Sequence, residues 1–137
     1  MPRIQGRLGI GKVLISLVAV ESAIGPYKFD WNETHIYNPV WPPHAKFHNA
    51  QTMSMGAALG GASLWHLWKG PRDTHEALDA AAICAALYWV TNISALFYPG
   101  SKAVDPPGTA RFPQAKFAVP SLALVALGYL MERRRLG

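Results

Sequence analysis

The chain has 137 residues, half of them apolar, with 15% charged and a net charge of +5. This length allows one domain with one core and excludes a two-domain enzyme. The charge content lies well below the roughly 25% of ordinary soluble domains, and the basic surplus flanks apolar blocks, where lipid headgroups explain it without a nucleic-acid partner.

A mean hydropathy of +0.09 averages polar loops with apolar blocks. Four blocks stand out: Leu8 to Gly25, Ala50 to Trp68, Ala77 to Tyr98, and Pro120 to Met131 with its lead-in from Pro113. Each approaches the roughly 17 to 25 residues that cross a bilayer. A soluble four-helix bundle would place polar residues on every outer face, and "ALDAAAICAALYWVTNISALFY" has almost none. The expected fold is an all-α integral membrane four-helix bundle with up-down topology. It forms a single membrane domain over residues 1–137, with helices at about 8–25, 48–68, 75–98 and 114–132.

Helix one starts behind Arg3, Arg7 and Lys12, and Gly25-Pro26 is expected to end it. A basic start before an apolar run also fits a signal peptide; the expectation is that the segment is retained as the first helix. Lys69 and Arg72 lie between helices two and three, and "ERRRLG" closes the chain. These basic places share one side when four helices alternate, so the positive-inside rule puts both termini in the cytoplasm. Lys102, Arg111 and Lys116 on the other side weaken that bias. The location implied is a multi-pass position in an inner or plasma membrane.

Gly56 and Gly60 in helix two have the GxxxG spacing, which serves close packing within the chain or between copies. Asp73 or Thr74 can cap helix three, with Glu76 in its first turn. Pro99-Gly100 is expected to stop that helix, and Pro120 either opens helix four or lies inside a helix begun near Gln114. Cys84, alone in the chain, excludes an internal disulfide and reads as a small core residue. "NIS" at 92–94 falls within a helix, and "NET" at 32–34 within an outer loop, so neither sequon carries weight.

Ionisable groups inside a bilayer are costly, so each is a functional candidate. Glu21 lies about one turn from the outer end of helix one. It either faces a cavity as an acid or base, or reaches the interface. Tyr88 and Asn92 share a helical face with Ala95, and Tyr98 follows a turn later; this face can hold hydrogen-bonding groups for a ligand or can bind helices together.

"WPPHAKFHNAQ" at 41–51 places His44 and His48 four residues apart. Two prolines put His44 near or before the helix start, so only His48 is securely helical, with Gln51, Thr52 and Met55 continuing its stripe. The spacing suits two ligands to one metal, and Glu33 and His35 could complete a site, although no standard zinc pattern results. His35 and His44 also suit an aromatic belt with Trp31, Tyr37 and Trp41, as His66 and His75 suit the opposite interface. A helical histidine facing the interior near Phe47, Met53 and Met55 also suits an axial haem ligand.

The order of features resembles styrene oxide isomerase, a family of small four-helix membrane enzymes that convert epoxides to carbonyl compounds. The residues that carry it are "AKFH" at 45–48, "NISALFYPGSKAVDPPG" at 92–108 and "FPQAKF" at 112–117. "WPPHAKFHNAQ" also resembles the signature of a family of small membrane proteins whose pattern names no chemistry. The isomerase resemblance implies a homotrimer with haem b at subunit contacts, His48 as axial ligand, and a small apolar substrate. Ser54 stands where that family has an asparagine that helps to hold the epoxide. Ferric iron would act as Lewis acid, with Tyr88, Asn92 or Tyr98 orienting the substrate and Glu21 stabilising positive charge.

Three functions follow as expectations. The first is a membrane enzyme, an epoxide isomerase using haem. The second is a haem-free acid/base isomerase or epoxide hydrolase using Glu21 and His48. The third is a non-enzymatic protein that binds lipid or assists a larger complex.

Overall fold

The computed structural model describes residues 8–70 and 73–137. Arg3, Arg7 and Arg72, three of the charges behind the expected orientation, lie outside them. The chain forms four antiparallel helices in sequence: α1 (Ile10–Asp30), α2 (Pro43–Trp68), α3 (His75–Ser94) and α4 (Ala115–Leu136). A single 3-10 turn, Ala95–Phe97, extends α3, and no strand occurs among the described residues. The all-α bundle expected from the sequence is the observed fold.

Helices α1, α4 and α3 with its 3-10 turn are each long and apolar enough to cross a membrane. At about 1.5 Å per residue, 21 residues of α1 give about 32 Å, the thickness of a bilayer's hydrocarbon core. Helix α2 is the longest at 26 residues. Its early turns carry His44, Lys46, His48, Asn49, Gln51 and Thr52, so it does not join those three.

The helices close a ring in chain order, with α1 also touching α3 across the diagonal. The core is built largely from small side chains: Ala19, Ala81, Ala85 and Ala118 are fully buried beside Ile15 and Val18. Small residues let backbones approach where lipid supplies no hydrophobic drive between helices. A β-carbon on Gly60 would collide with the Ala19 carbonyl, and one on Gly56 with the Ser22 carbonyl. The GxxxG pair therefore packs α2 on α1 of the same chain, whereas Gly61 faces open space.

Three helix ends differ from expectation. Gly25-Pro26 does not end α1, which continues to Asp30 with Pro26 inside it. Proline removes the N–H that would bond the Ser22 carbonyl, and Gly56 of α2 lies against that carbonyl. The prolines at 42 and 43 begin α2 rather than delay it, as N-cap and first helical residue, so His44 is helical after all. Helix α3 gives way to the 3-10 turn at Ala95, before Pro99-Gly100. Thr74 is the observed cap of α3, its hydroxyl accepting the Ala77 N–H at 3.2 Å. Pro120 lies inside α4, which begins at Ala115.

A network of charged side chains closes the end where the helix-two to helix-three turn and the C-terminus meet. The Lys12 ammonium and the Arg135 guanidinium each donate to Asp73 Oδ1 at 2.9 Å. Arg135 Nε also donates to Glu132, which is 2% exposed, at 2.6 Å. The Lys12 hydrogen bond, partly offset by desolvation and then reinforced by the Arg135 hydrogen bond, holds the Asp73 carboxyl below its ordinary range. At the other end, Trp41 Nε1 donates to Asp105 Oδ2 at 3.2 Å and joins the two long loops.

Candidate functional site

Two clefts open at the loop end of the bundle, and Tyr88 and Asn92 of α3 stand in the wall of both. These residues lie four apart and so one above the other on the helix. Ala95, on the same face, lines the second cleft only.

The first cleft, about 320 Å³, lies between α1, α3 and the start of α4. Its apolar wall includes Pro26, Phe29 and Phe117. Glu21 lines it half-buried, and Ser121 Oγ of α4 donates to Glu21 Oε2 at 2.7 Å. Beside it are three buried polar atoms with no partner among the described residues: Trp89 Nε1, Asn92 Oδ1 and Gln114 Oε1. Trp89 is only 7% exposed, and a buried unpaired donor costs roughly 1–3 kcal/mol. The amide of Gln114 is anchored by its other end, Nε2 donating to the Ala103 carbonyl at 2.8 Å. Trp89, Asn92 and Gln114 thus line a largely apolar space with one indole donor and two amide acceptors buried in its wall, the usual composition of a small-molecule site.

The mouth of this cleft carries Asp30 and His35. Asn49 Nδ2 of α2 donates to Asp30 Oδ2 at 2.9 Å, and His35 Nδ1 lies 3.7 Å from Asp30 Oδ1. The His35 ring meets Trp41 edge-on at 4.9 Å. His35 Nδ1 is engaged by the Thr34 hydroxyl at 2.7 Å and its ring packs on Trp41, and the metal site expected from Glu33, His35, His44 and His48 does not assemble. Among the described residues no cluster of three or more metal-ligating side chains forms.

The second cleft, about 450 Å³, lies between α2 and α3 and is lined by Gln51, Thr52, Met55, Leu59, Leu87 and Thr91. Gln51 and Met55 thus share this cleft with Tyr88 and Asn92. Tyr98 joins neither cleft; it is 68% exposed beyond the 3-10 turn.

His48 is not the interior histidine expected. The buried stripe of α2 runs through Met53, Gly56, Gly60, Ser63 and Leu67, and that register turns His44 and His48 outward, where both are exposed. The imidazoles meet with Nε2 to Nε2 at 3.0 Å, and His48 Nδ1 lies 3.3 Å from Gln51 Oε1. An axial haem ligand needs a ring nitrogen aimed into an apolar slot. Here both His48 nitrogens face polar side chains and the ring lines neither cleft. One chain alone therefore offers His48 no haem slot, and the outward face that it occupies is where the resemblance places haem, between subunits. The same placement separates His48 from Glu21, so the two do not form the expected acid/base pair.

Sequence reasoning missed Trp89, Gln114 and Asp30. A tryptophan beside Tyr88 in an apolar run was the only local signal for the first; the other two acquire their positions from the extension of α1 and the return of the second loop.

Residues 14–137 match the model of a family of unknown function, DUF6640, and the chain belongs to that family. No curated protein and no solved structure matches the chain.

Proposed function

We propose that the protein is a multi-pass membrane enzyme that isomerises a small, largely apolar, oxygen-bearing molecule, most simply an epoxide to a carbonyl compound, with Glu21 as its proton donor and acceptor. Membership of the family brings no chemistry of its own, so the reading rests on this chain's residues and on the resemblance of its sequence to the epoxide isomerases. The observation that carries it is Glu21 in a half-open apolar cleft, beside the unpartnered Trp89 N–H and Asn92 carbonyl. Buried polar atoms without partners in the wall of a space of molecular size favour a ligand that supplies the missing bonds once their side chains turn toward it.

In this reading all four helices cross the bilayer, with both termini on the cytoplasmic side. The acid form of Glu21 gives its proton to the epoxide oxygen, and a ring C–O bond breaks with its electron pair passing to oxygen. A neighbouring hydrogen migrates with its electron pair to the carbocation. The protonated carbonyl then returns its proton to the Glu21 carboxylate, and the enzyme is regenerated. Trp89 Nε1 donates to the substrate oxygen, and Asn92 Oδ1 accepts from the transient hydroxyl. The Tyr88 ring supplies a face of negative potential beside the cation. Pro26, Phe29 and Phe117 exclude water, which would otherwise trap the cation as a diol.

The test is turnover of an aryl-substituted epoxide by the full chain in detergent, with the carbonyl product followed by NMR. Glu21→Gln is expected to lower turnover by about 100-fold or more without changing the melting temperature by more than a few degrees. Equal turnover by the wild type and Glu21→Gln, or no product from the wild type, sinks the reading.

A further inference from the structure

The reactive groups left unused by that site are the two imidazoles on the outward face of α2. Their geometry is specific. The Nε2 atoms converge at 3.0 Å, and the rings lie 4.5 Å apart and nearly perpendicular. The His44 ring lies parallel to Phe47, at 3° between planes, which limits its freedom to turn away.

We propose that His44 and His48 form a two-imidazole site for a divalent transition-metal ion, copper(II) in preference to zinc(II), at the rim of the cleft between α2 and α3. The distance brings both nitrogens within reach of one ion. Two nitrogens about 2.0 Å from a metal stand about 2.8 Å apart when cis in a square plane and about 3.3 Å apart in a tetrahedron. The observed 3.0 Å is also an ordinary imidazole hydrogen-bond length, so the choice of ion rests on the tighter binding of nitrogen donors by copper(II) than by zinc(II).

The second support is the partner of the far nitrogen. A ligating histidine donates its other N–H to an oxygen, which fixes the tautomer and aims the free lone pair at the metal. Gln51 Oε1 is in place to accept from His48 Nδ1, leaving the Nε2 lone pair pointed at His44. Without metal, the His44 Nε2 proton fills that gap as an imidazole–imidazole hydrogen bond. When the ion enters, this proton is exchanged through solvent onto His44 Nδ1, so both Nε2 atoms coordinate and both rings stay neutral. Both residues are exposed, so water completes the coordination shell and the ion enters from solvent. Gln51 also lines the cleft, which places the bound ion beside it.

The experiment titrates copper(II), and separately zinc(II), into the untagged full chain in detergent. Calorimetry gives the stoichiometry, and electron paramagnetic resonance counts the nitrogens on copper. The expected result is one copper per chain with two imidazole nitrogens, and weaker zinc binding. His44→Ala and His48→Ala each lower copper affinity by at least about tenfold and remove one nitrogen, and Gln51→Ala weakens it by about tenfold. His66→Ala, at a ring that meets Trp65 edge-on at the opposite end of α2, leaves it unchanged. Because His44 and His48 are exposed, their variants keep the wild-type melting temperature, and this is measured alongside. Copper binding that survives both alanine variants, or a resonance without imidazole nitrogen, overturns the proposal.

Discussion

The Ser121 hydroxyl reaches across from α4 to donate a 2.7 Å hydrogen bond to the Glu21 carboxylate of α1, 100 residues away in sequence. Ser121 is 2% exposed, so this bond is shielded from water. It occupies one carboxylate oxygen, Oε2, and leaves Oε1 to the cleft. Ser121→Ala removes the only bond in the described residues that fixes the Glu21 rotamer. The expected loss is about 1.5–3 kcal/mol of stability, the range for hydrogen bonds to charged groups. Thermal unfolding in detergent measures it. A melting temperature equal to that of the wild type would show that the bond contributes nothing.

Trp89→Phe keeps a ring that packs against Tyr88 and deletes the unpartnered indole N–H. Removing the unpartnered donor relieves a desolvation penalty, but Trp89 belongs to the core at 7% exposure, so the smaller ring leaves a cavity and stability should fall by about 1–2 kcal/mol. Affinity for an oxygen-bearing ligand should fall by up to about tenfold, the equivalent of one neutral hydrogen bond. Direct binding measurements on the two proteins, with a saturated ether or epoxide as probe, check this. Equal affinities would mean that the N–H is not directed at the ligand.

The two glycines of α2 that touch α1 should respond differently from the one that does not. Gly60→Ala drives a methyl into the Ala19 carbonyl and should cost about 1–3 kcal/mol, the usual cost of overpacking. Gly61→Ala meets nothing within 4 Å and should gain up to about 1 kcal/mol from helix propensity. Melting temperatures of the two variants give the comparison, and a loss at Gly61 matching that at Gly60 would contradict the packing described above.

Asp73 sets an acid limit to stability. Its carboxyl titrates below its ordinary value of 3.8, chiefly because of the hydrogen bond from Lys12. A depressed folded value means that the unfolded chain binds the proton more readily. The stabilisation is therefore complete above about pH 4 and is lost as pH falls through the lower folded value. Asp73→Asn should flatten the fall in melting temperature between pH 5 and pH 3, while preserving the positive φ of 58° that asparagine also tolerates. An unchanged slope would show that Asp73 carries none of it.

The fold was legible where the membrane forces the pattern. A helix that lipid surrounds must be apolar all round, so α1, α3 and α4 were visible as blocks. The helix ends were less legible because their rules assume water. Pro26 stops a helix when its freed carbonyl has no neighbour, and here Gly56 is that neighbour. In the site, Glu21, Tyr88 and Asn92 were readable from the cost of polarity in lipid and from four-residue spacing. Asp30 and Gln114 were not, because their places depend on where a helix and a loop finish in space. His48 faces outward rather than into the bundle because the register of α2 is set by Gly56 and Gly60, whose contact with α1 the sequence alone left open. Glu132, hidden before three arginines, gave no sign that it would be buried to 2%.

The charged network of Lys12, Asp73, Glu132 and Arg135 joins α1, the turn before α3 and α4 at one end, and both clefts open at the other. The bundle is thus built like a tumbler, with a riveted base and a rim tied by single hydrogen bonds such as that of Trp41 to Asp105. Amide hydrogens near the base should exchange with deuterium only when the whole bundle comes apart, while those around the rim exchange through smaller openings. A molecule entering at the rim would not need the base to move, so traffic in and out can be frequent without risking the fold.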